Sequence, residues 1–443
     1  MKQSDIIIAV WDGNDAKGKG GTGQIVAEAM LDEIPVVWIE AHTPHEIKLI
    51  TLDNTGNQNE AVFDDRNIEL ILRRIMCPEL QKKPGIYKTY FAEKQPEWTW
   101  GYIYEVFCDI LAGEKLEAGG VKIKHIQSET QREWERVWNK CPDIPDSART
   151  HVTDNFLPHY SWADNLANYY SNIYRSSFVV NYLLAGLAVF FALLTVTVSA
   201  YEMLWISCEF VLIFLILLIT TVGNRNHWHQ RWIDYRLLSE QLRQLRFLTL
   251  LGLTTPAFRV PAHDTHGDPR NSWVNWHFRA IVRDAGLINA RIDTDYMKSF
   301  SALLADHEIA SQVDYHRRVS PRFKRINHNL HLIGSSLFFL TLVAVFMHFF
   351  IHSGWLTLMA AVFPAFGAAF FGIRTQGEFE QIAKRSEAMA VNLENIREEI
   401  KQNNDIISYR KLGFAAEKTA EIMSSEILDW RIFFESKRLV LPV

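Results

Sequence analysis

The residues best suited to chemistry form a glycine-rich run, Gly18, Lys19, Gly20, Gly21, Thr22 and Gly23, shortly after Asp12 and Gly13. Glycines let a main chain approach a phosphate closely. Where such a run opens a helix, the free N–H groups and the helix dipole attract an anion. Thr22 can add a hydroxyl. The spacing is not the G-x-x-x-x-G-K-[ST] of a Walker A loop. A tight turn without a ligand is the other reading, and both stay open. Bond cleavage beside the loop would need a carboxylate, for which Asp12 and Glu28 are the nearest stand-ins. Elsewhere, Glu209 and His348 sit in apolar surroundings, and an acid inside a bilayer suggests function by its cost. They can form a pair at similar depth; alternatively the helix starts near Ile206 and Glu209 lies at the headgroups. His227 and His229 are two apart and face different ways on a helix, so no metal site is expected. Cys77, Cys108, Cys141 and Cys208 are scattered, which argues against a disulfide framework or a zinc ribbon.

The elements that position the loop read as β–α–β. Ile6 to Val10 is a continuous apolar run of the kind buried in parallel sheets. Gln24 to Met30 reads as a helix and Pro35 to Ile39 as a second buried strand. Beyond them, residues 47–52 suit a strand, 65–75 and 98–111 suit helices, and 54–59 suit a turn-rich loop. The Asp- and Pro-containing stretch 141–145 suits a boundary.

Four apolar segments, 178–200, 203–223, 332–351 and 355–373, are each about as long as a helix needs to cross hydrocarbon, ~20 residues. Helix is the form that satisfies the backbone there. The links 201–202 and 352–354 are too short for anything but tight hairpins. Arg175, Arg225, Arg231, Arg317, Arg318, Arg322, Lys324, Arg325, Arg374, Lys384 and Arg385 flank the other ends, while the links hold no Lys or Arg. The positive-inside rule then puts the long segments and both termini in the cytoplasm. Pro364 predicts a kink, with Gly367 relieving packing beside it. Helices are expected at 162–175, 227–248, 273–285 and 294–317. After the fourth segment, Phe379, Ile382, Ser386, Met389, Leu393, Ile396 and Ile400 mark a heptad seam. It suits either packing on the same chain or a coiled coil between subunits. Each half repeats one order: polar helix, two spans, amphipathic helix.

The net charge of −5 offers no basic excess for nucleic acid. The mean hydropathy of −0.06 averages these spans with ordinary polar sequence. The expected fold is a membrane α-helical protein, four spans in two hairpins with long cytosolic helices, plus a small N-terminal α/β Rossmann-like unit. The parts are residues 1–42 (Rossmann-like), 43–150 (mixed connecting region), 151–250 (first two-span module), 251–318 (helical insert) and 319–443 (second module).

The run A-V-W-D-G-x-x-x-x-G-K-G-G-T-x-x-x-V, from Ala9 to Val26, resembles the closing half of SLOG domains, Rossmann-like nucleotide sensors related to the LOG nucleotide-processing enzymes. The resemblance implies that Gly18, Gly20, Gly21 and Thr22 contact a nucleotide phosphate, with Asp12 and Gly13 at the strand's end. The LOG enzymes carry a glutamate where Ile25 stands, so their hydrolysis is not expected. A SLOG domain also has several strands ahead of this one. About half of that fold is therefore expected to be truncated, or completed by other elements. The two-span modules resemble SLATT domains of bacterial conflict systems. Trp232, Tyr235-Arg236, Glu240 and Arg243 carry that likeness, and the second copy lacks the Trp and Tyr-Arg. The resemblances imply a nucleotide-sensing effector of the bacterial inner membrane in antiphage defence, oligomerising or forming a pore when the signal binds. The expected partners are the bilayer, a nucleotide signal and further copies of the chain, with no cofactor and no nucleic acid. A membrane-anchored nucleotide-processing enzyme is the alternative.

Overall fold

The computed structural model describes all residues except 1–3, 19, 32–33, 53–57, 77–88, 95–99, 116–125, 255–272, 403–407, 435–438, 440 and 443. Among the described residues the chain is mostly helical, with four helices long and apolar enough to span a membrane and a four-stranded mixed sheet near the N-terminus. It divides into two compact units: residues 1–94, 145–156 and 241–291, and residues 95–144, 157–240 and 292–443.

In the first unit, β1 (Ile7–Trp11), α1 (Thr22–Leu31) and β2 (Val36–Glu40) form the expected crossover, with β1 parallel to β2. β3 (Ile47–Leu52) and β4 (Gln58–Val62) then add antiparallel, in the order β1-β2-β3-β4. Part of the loop expected at 54–59 lies outside the described residues, and positions 58–59 belong to β4. α1 covers the sheet through Val26 and Ala29, packed with Ala9, Ile34, Val36 and Ile50. α2 (Asp65–Met76) follows the sheet.

The second unit begins its described helices with α3 (Tyr102–Ala112) and α4 (Ile126–Trp138). The start expected for α3, at 98, falls partly outside the described residues. α5 (Asp146–Thr197) starts well before the expected residue 162 and runs unbroken through the first span. Pro145 immediately before Asp146 supplies a start signal, and the acid suits the first turn. α6 (Glu202–Arg225) is the second span and α7 (Trp228–Leu248) the amphipathic helix after it. α8 (Trp273–Ala285) lies in the first unit, where Arg279 and Arg283 pair with Asp5 at 2.6 and 3.0 Å. α9 (Thr294–Ala302) leads through a π-helical segment, Leu303–Ile309, into α10 (Ala310–His348). The helix expected to end at 317 therefore continues into the third span. α11 (Gly354–Gly377) is the fourth span, joined at Glu378 (φ +49°) to α12 (Phe379–Gln402), and α13 (Tyr409–Phe434) follows.

The spans pack on small residues, as membrane helices do when no hydrophobic drive separates them from lipid. α5 and α11 run antiparallel against each other. The Phe366 ring lies 3.1 Å from where a Cβ on Gly186 would stand, and Leu194, Leu358 and Val362 form their shared core. Gly334 and Gly367 bring α10 and α11 into close contact, the Gly367 Cβ position lying 3.7 Å from the Gly334 carbonyl oxygen. Asn181 Nδ2 donates to Thr220 Oγ1 at 2.9 Å, tying α6 to α5. Within their most apolar windows, α5 and the α11 run are 28% and 22% buried, against 11% for α6 and 11% for the α10 run. The outer spans therefore present most of their surface to lipid.

All seven predicted seam positions on α12 are buried within the chain. α12 packs antiparallel on the first half of α10, with Lys324–Glu387 at 2.5 Å and Arg317–Glu394 at 3.3 Å flanking the contact. Of the two readings of the heptad, packing on the same chain is the one formed.

Candidate functional site

The loop between β1 and α1 brings Asp12, Gly13, Gly18, Gly20, Gly21 and Thr22 together on one exposed rim of the first unit. Lys19 lies outside the described residues. The loop's turns need glycine at two positions, Gly13 (φ +75°) and Gly20 (φ +80°), where side chains are strained. Gly23 is required by space: a Cβ there would stand 2.7 Å from the Asn14 carbonyl oxygen. At Gly21 it would stand 3.0 Å from the Ala16 Cβ, while Gly18 and Gly20 face open space. The loop therefore folds tightly over the first turn of α1 and leaves its outer rim open.

Local bonds hold this shape. The Asp12 carboxylate accepts from the Asn14 side-chain amide at 3.0 Å and its backbone N–H at 3.1 Å. Those bonds, the side-chain one foremost, hold the Asp12 carboxyl below its ordinary pKa, and Lys17 adds to the effect. Trp11 Nε1 donates to the Asn14 carbonyl at 2.7 Å, and Trp38 Nε1 donates to the Trp11 carbonyl at 2.8 Å. Gly20 N–H donates to Gln24 Oε1 at 2.9 Å, and Gln24 Nε2 donates to Glu28 Oε1 at 2.8 Å. The N–H groups of Thr22, Gly23 and Gln24, in the first turn, have no carbonyl one turn earlier within α1 and are the donors such a site offers. Glu28 is tied to the loop through Gln24, and Asp12 is occupied by Asn14.

Glu209 and His348 are not brought together. No hydrogen bond or ion pair joins them among the described residues, and the His348 ring instead lies 5.7 Å from His352. No metal-binding cluster occurs among the described residues.

The motif on α7 resolves into contacts in the second unit. The Trp232 ring lies 4.7 Å under the Arg175 guanidinium. Tyr235 is fully buried, stacked on Tyr170 at 6.0 Å and edge-on to Trp162 at 5.3 Å. Arg236 pairs with Glu240 at 2.6 Å and Asp164 at 3.4 Å. Burial pushes the Arg236 pKa down, but Glu240 and then Asp164 more than reverse this and hold it above its usual value. Sequence reasoning gave α3 no role. In the structure its start packs on α5, with Tyr104 N–H donating to Ser176 Oγ at 3.0 Å. Its end is held by α10, with Arg322–Asp109 at 2.6 Å and Asn329 Nδ2 donating to the Leu111 carbonyl at 2.7 Å. Only its amphipathic spacing could have signalled this bridge between the two halves.

Residues 159–252 match a family described as "Protein of unknown function (DUF4231)". The match covers the end of the polar part of α5, both spans of the first hairpin and α7, including Trp232, Tyr235, Arg236, Glu240 and Arg243. No curated protein and no solved structure matches the chain.

Proposed function

We propose that this protein is a nucleotide-sensing membrane effector: the glycine loop of the first unit binds a nucleotide phosphate, and the spans respond by assembling or opening. The observation that carries the reading is the loop itself. Its glycines, two at positive φ and one excluded from bearing a Cβ, keep the first turn of α1 accessible to an anion. The resemblances to SLOG and SLATT modules support a setting in bacterial defence, at the inner membrane, with the basic ends of the spans and both termini inside. One chain's spans meet around an apolar core of Leu194, Leu358 and Val362, which supports conduction by several copies together rather than by one.

The test uses the whole chain in nanodiscs and a panel of mononucleotides and dinucleotides, with binding read by calorimetry. Gly18→Glu places a carboxylate in open space, so the fold should be retained while phosphate binding falls by tenfold or more, about 1.4 kcal/mol. Binding that is absent across the panel, or unchanged in Gly18→Glu, refutes the sensor. A binding nucleotide that never collapses a potassium diffusion potential in proteoliposomes refutes the effector. Turnover of the nucleotide, abolished by Glu28→Gln, would establish the enzyme alternative instead.

A further inference from the structure

The path from α9 into the third span contains a π-helical segment, Leu303–Ile309, bounded on both sides by α-helix. A π segment in an α-helix holds one extra residue in the turn, and it is a rare form confined to short insertions. Such a segment persists where its surroundings hold it. Here the holder is α12. Arg397 Nε donates to the carbonyl of Ala305 at 3.1 Å, inside the π segment. Arg397 also reaches the Asp306 carboxylate at 3.4 Å, and Lys401 reaches it at 2.7 Å. Glu394 fixes Arg397 from its own helix at 3.2 Å. One face of the segment, Leu303, Leu304, Ala305, Glu308 and Ile309, is buried.

We propose that Leu303–Ile309 is a two-register joint, latched in its wide π register by Arg397. When the latch opens, the extra residue leaves the segment and the helix closes to α. α9 then screws by one residue relative to the third span, about 100° of rotation and ~1.5 Å of travel. That motion breaks the bond from Ser299 Oγ to Asp143 Oδ2, now 2.6 Å long. The joint therefore links the helix that follows the fourth span to the orientation of the helix that precedes the third. It does not depend on what the glycine loop binds.

The test is a spin-label distance between Lys298→Cys and Arg318→Cys, exposed positions on either side of the segment, in nanodiscs with Cys77 and Cys208 changed to serine. Deleting Ala305 forces the α register and supplies the reference distance. The wild-type latch should give a single population distinct from that reference. Arg397→Ala should move at least half of the population onto it. Arg397→Ala remaining wholly at the wild-type distance overturns the proposal. So does a deletion variant that cannot fold, because the wide register is then obligatory. Should Arg397→Ala itself fail to fold, Arg397→Met, which keeps the length of the side chain and removes its donors, is measured in the same way, and a wild-type distance there overturns it.

Discussion

The contact between α5 and α11 joins the two hairpins, and Gly372 tests it. A Cβ at Gly372 would overlap the Tyr182 ring, standing 2.6 Å from Cζ and 2.8 Å from Cδ1. The phenol turns on two torsions, so the ring must swing as a whole or the helices must part. Overpacking of this kind costs about 1–3 kcal/mol. Gly372→Ala should therefore lower stability by about 2 kcal/mol. Tyr182→Ala alone should cost about 3 kcal/mol through the lost ring. In the double variant the new methyl meets the space the ring vacated, so the two costs should not add, and a coupling of about 2 kcal/mol is expected. Unfolding of all four proteins by SDS titration from mixed micelles measures it. Costs that sum to within about 0.5 kcal/mol would show that the ring does not rest on Gly372, and the antiparallel seam between the hairpins would be wrong.

Four further outcomes follow from single contacts. Phe379→Ala should cost about 3–5 kcal/mol in thermal unfolding, because the ring is fully buried between Tyr104 and Phe323. Arg236→Ala should cost about 2–3 kcal/mol. It removes the cationic partner of the buried Glu240 and Asp164, and the figure sits below the range for a fully buried pair because 38% of the Arg236 side chain is exposed. Asp306 is held below its ordinary pKa, first by its hydrogen bond to Lys401. It therefore adds stability above the ordinary carboxylate range that is lost as pH falls through its folded-state pKa. At 47% exposure the gain is below about 1 kcal/mol, so the unfolding midpoints of wild type and Asp306→Asn should converge on acidification. Gly23→Ala should displace the loop and abolish anion binding in calorimetry while the four spans keep their helicity by circular dichroism.

Much of this was legible in the chain because the forces involved are local or one-dimensional. The four spans need only length and apolarity, and all four are helical and end at their hairpin links within a few residues of the expected limits, although the first and third are the ends of helices that begin far earlier. The β1–α1–β2 crossover was readable because a continuous apolar run followed by glycines has few other uses. What escaped depends on partners distant in sequence. Nothing around Arg397 announces that it meets Ala305, and no spacing rule marks a π segment, since one extra residue leaves the local composition unchanged. Likewise Asp5 looks like an ordinary strand-flanking acid until Arg279 and Arg283 arrive from far along the chain. β3 stands where a strand was expected, at 47–52, but β4 was missed and the antiparallel pairing of both was not legible, because a strand's partner, unlike its periodicity, is not written in the strand. Glu209 and His348 drew attention by type, yet pairing depends on which helix faces they occupy, and composition does not fix that.

The burial of the α12 seam also limits how copies of this chain can meet. Its seven seam positions, six apolar and Ser386, are buried within the chain, so they are not available to a second subunit. Within the membrane part, the broad apolar surfaces are span faces, such as Phe210 and Phe214 on α6 and Phe338, Phe339 and Phe346 on α10. In a bilayer those faces gain little by leaving lipid for protein, because lipid tails are as apolar as they are. Assembly of the proposed effector through its spans then draws on polar groups at the span surfaces, beside close packing of small residues. Glu209 is the one acid within the four apolar segments, and it stays partly exposed on α6. Interhelical hydrogen bonds in membranes are each worth about 0.6–2 kcal/mol, which is small for one pair but multiplies around a ring of copies. Glu209→Leu should accordingly reduce chemical cross-linking between copies in membranes without lowering the stability of the single chain. Undiminished cross-linking would place the subunit contacts elsewhere.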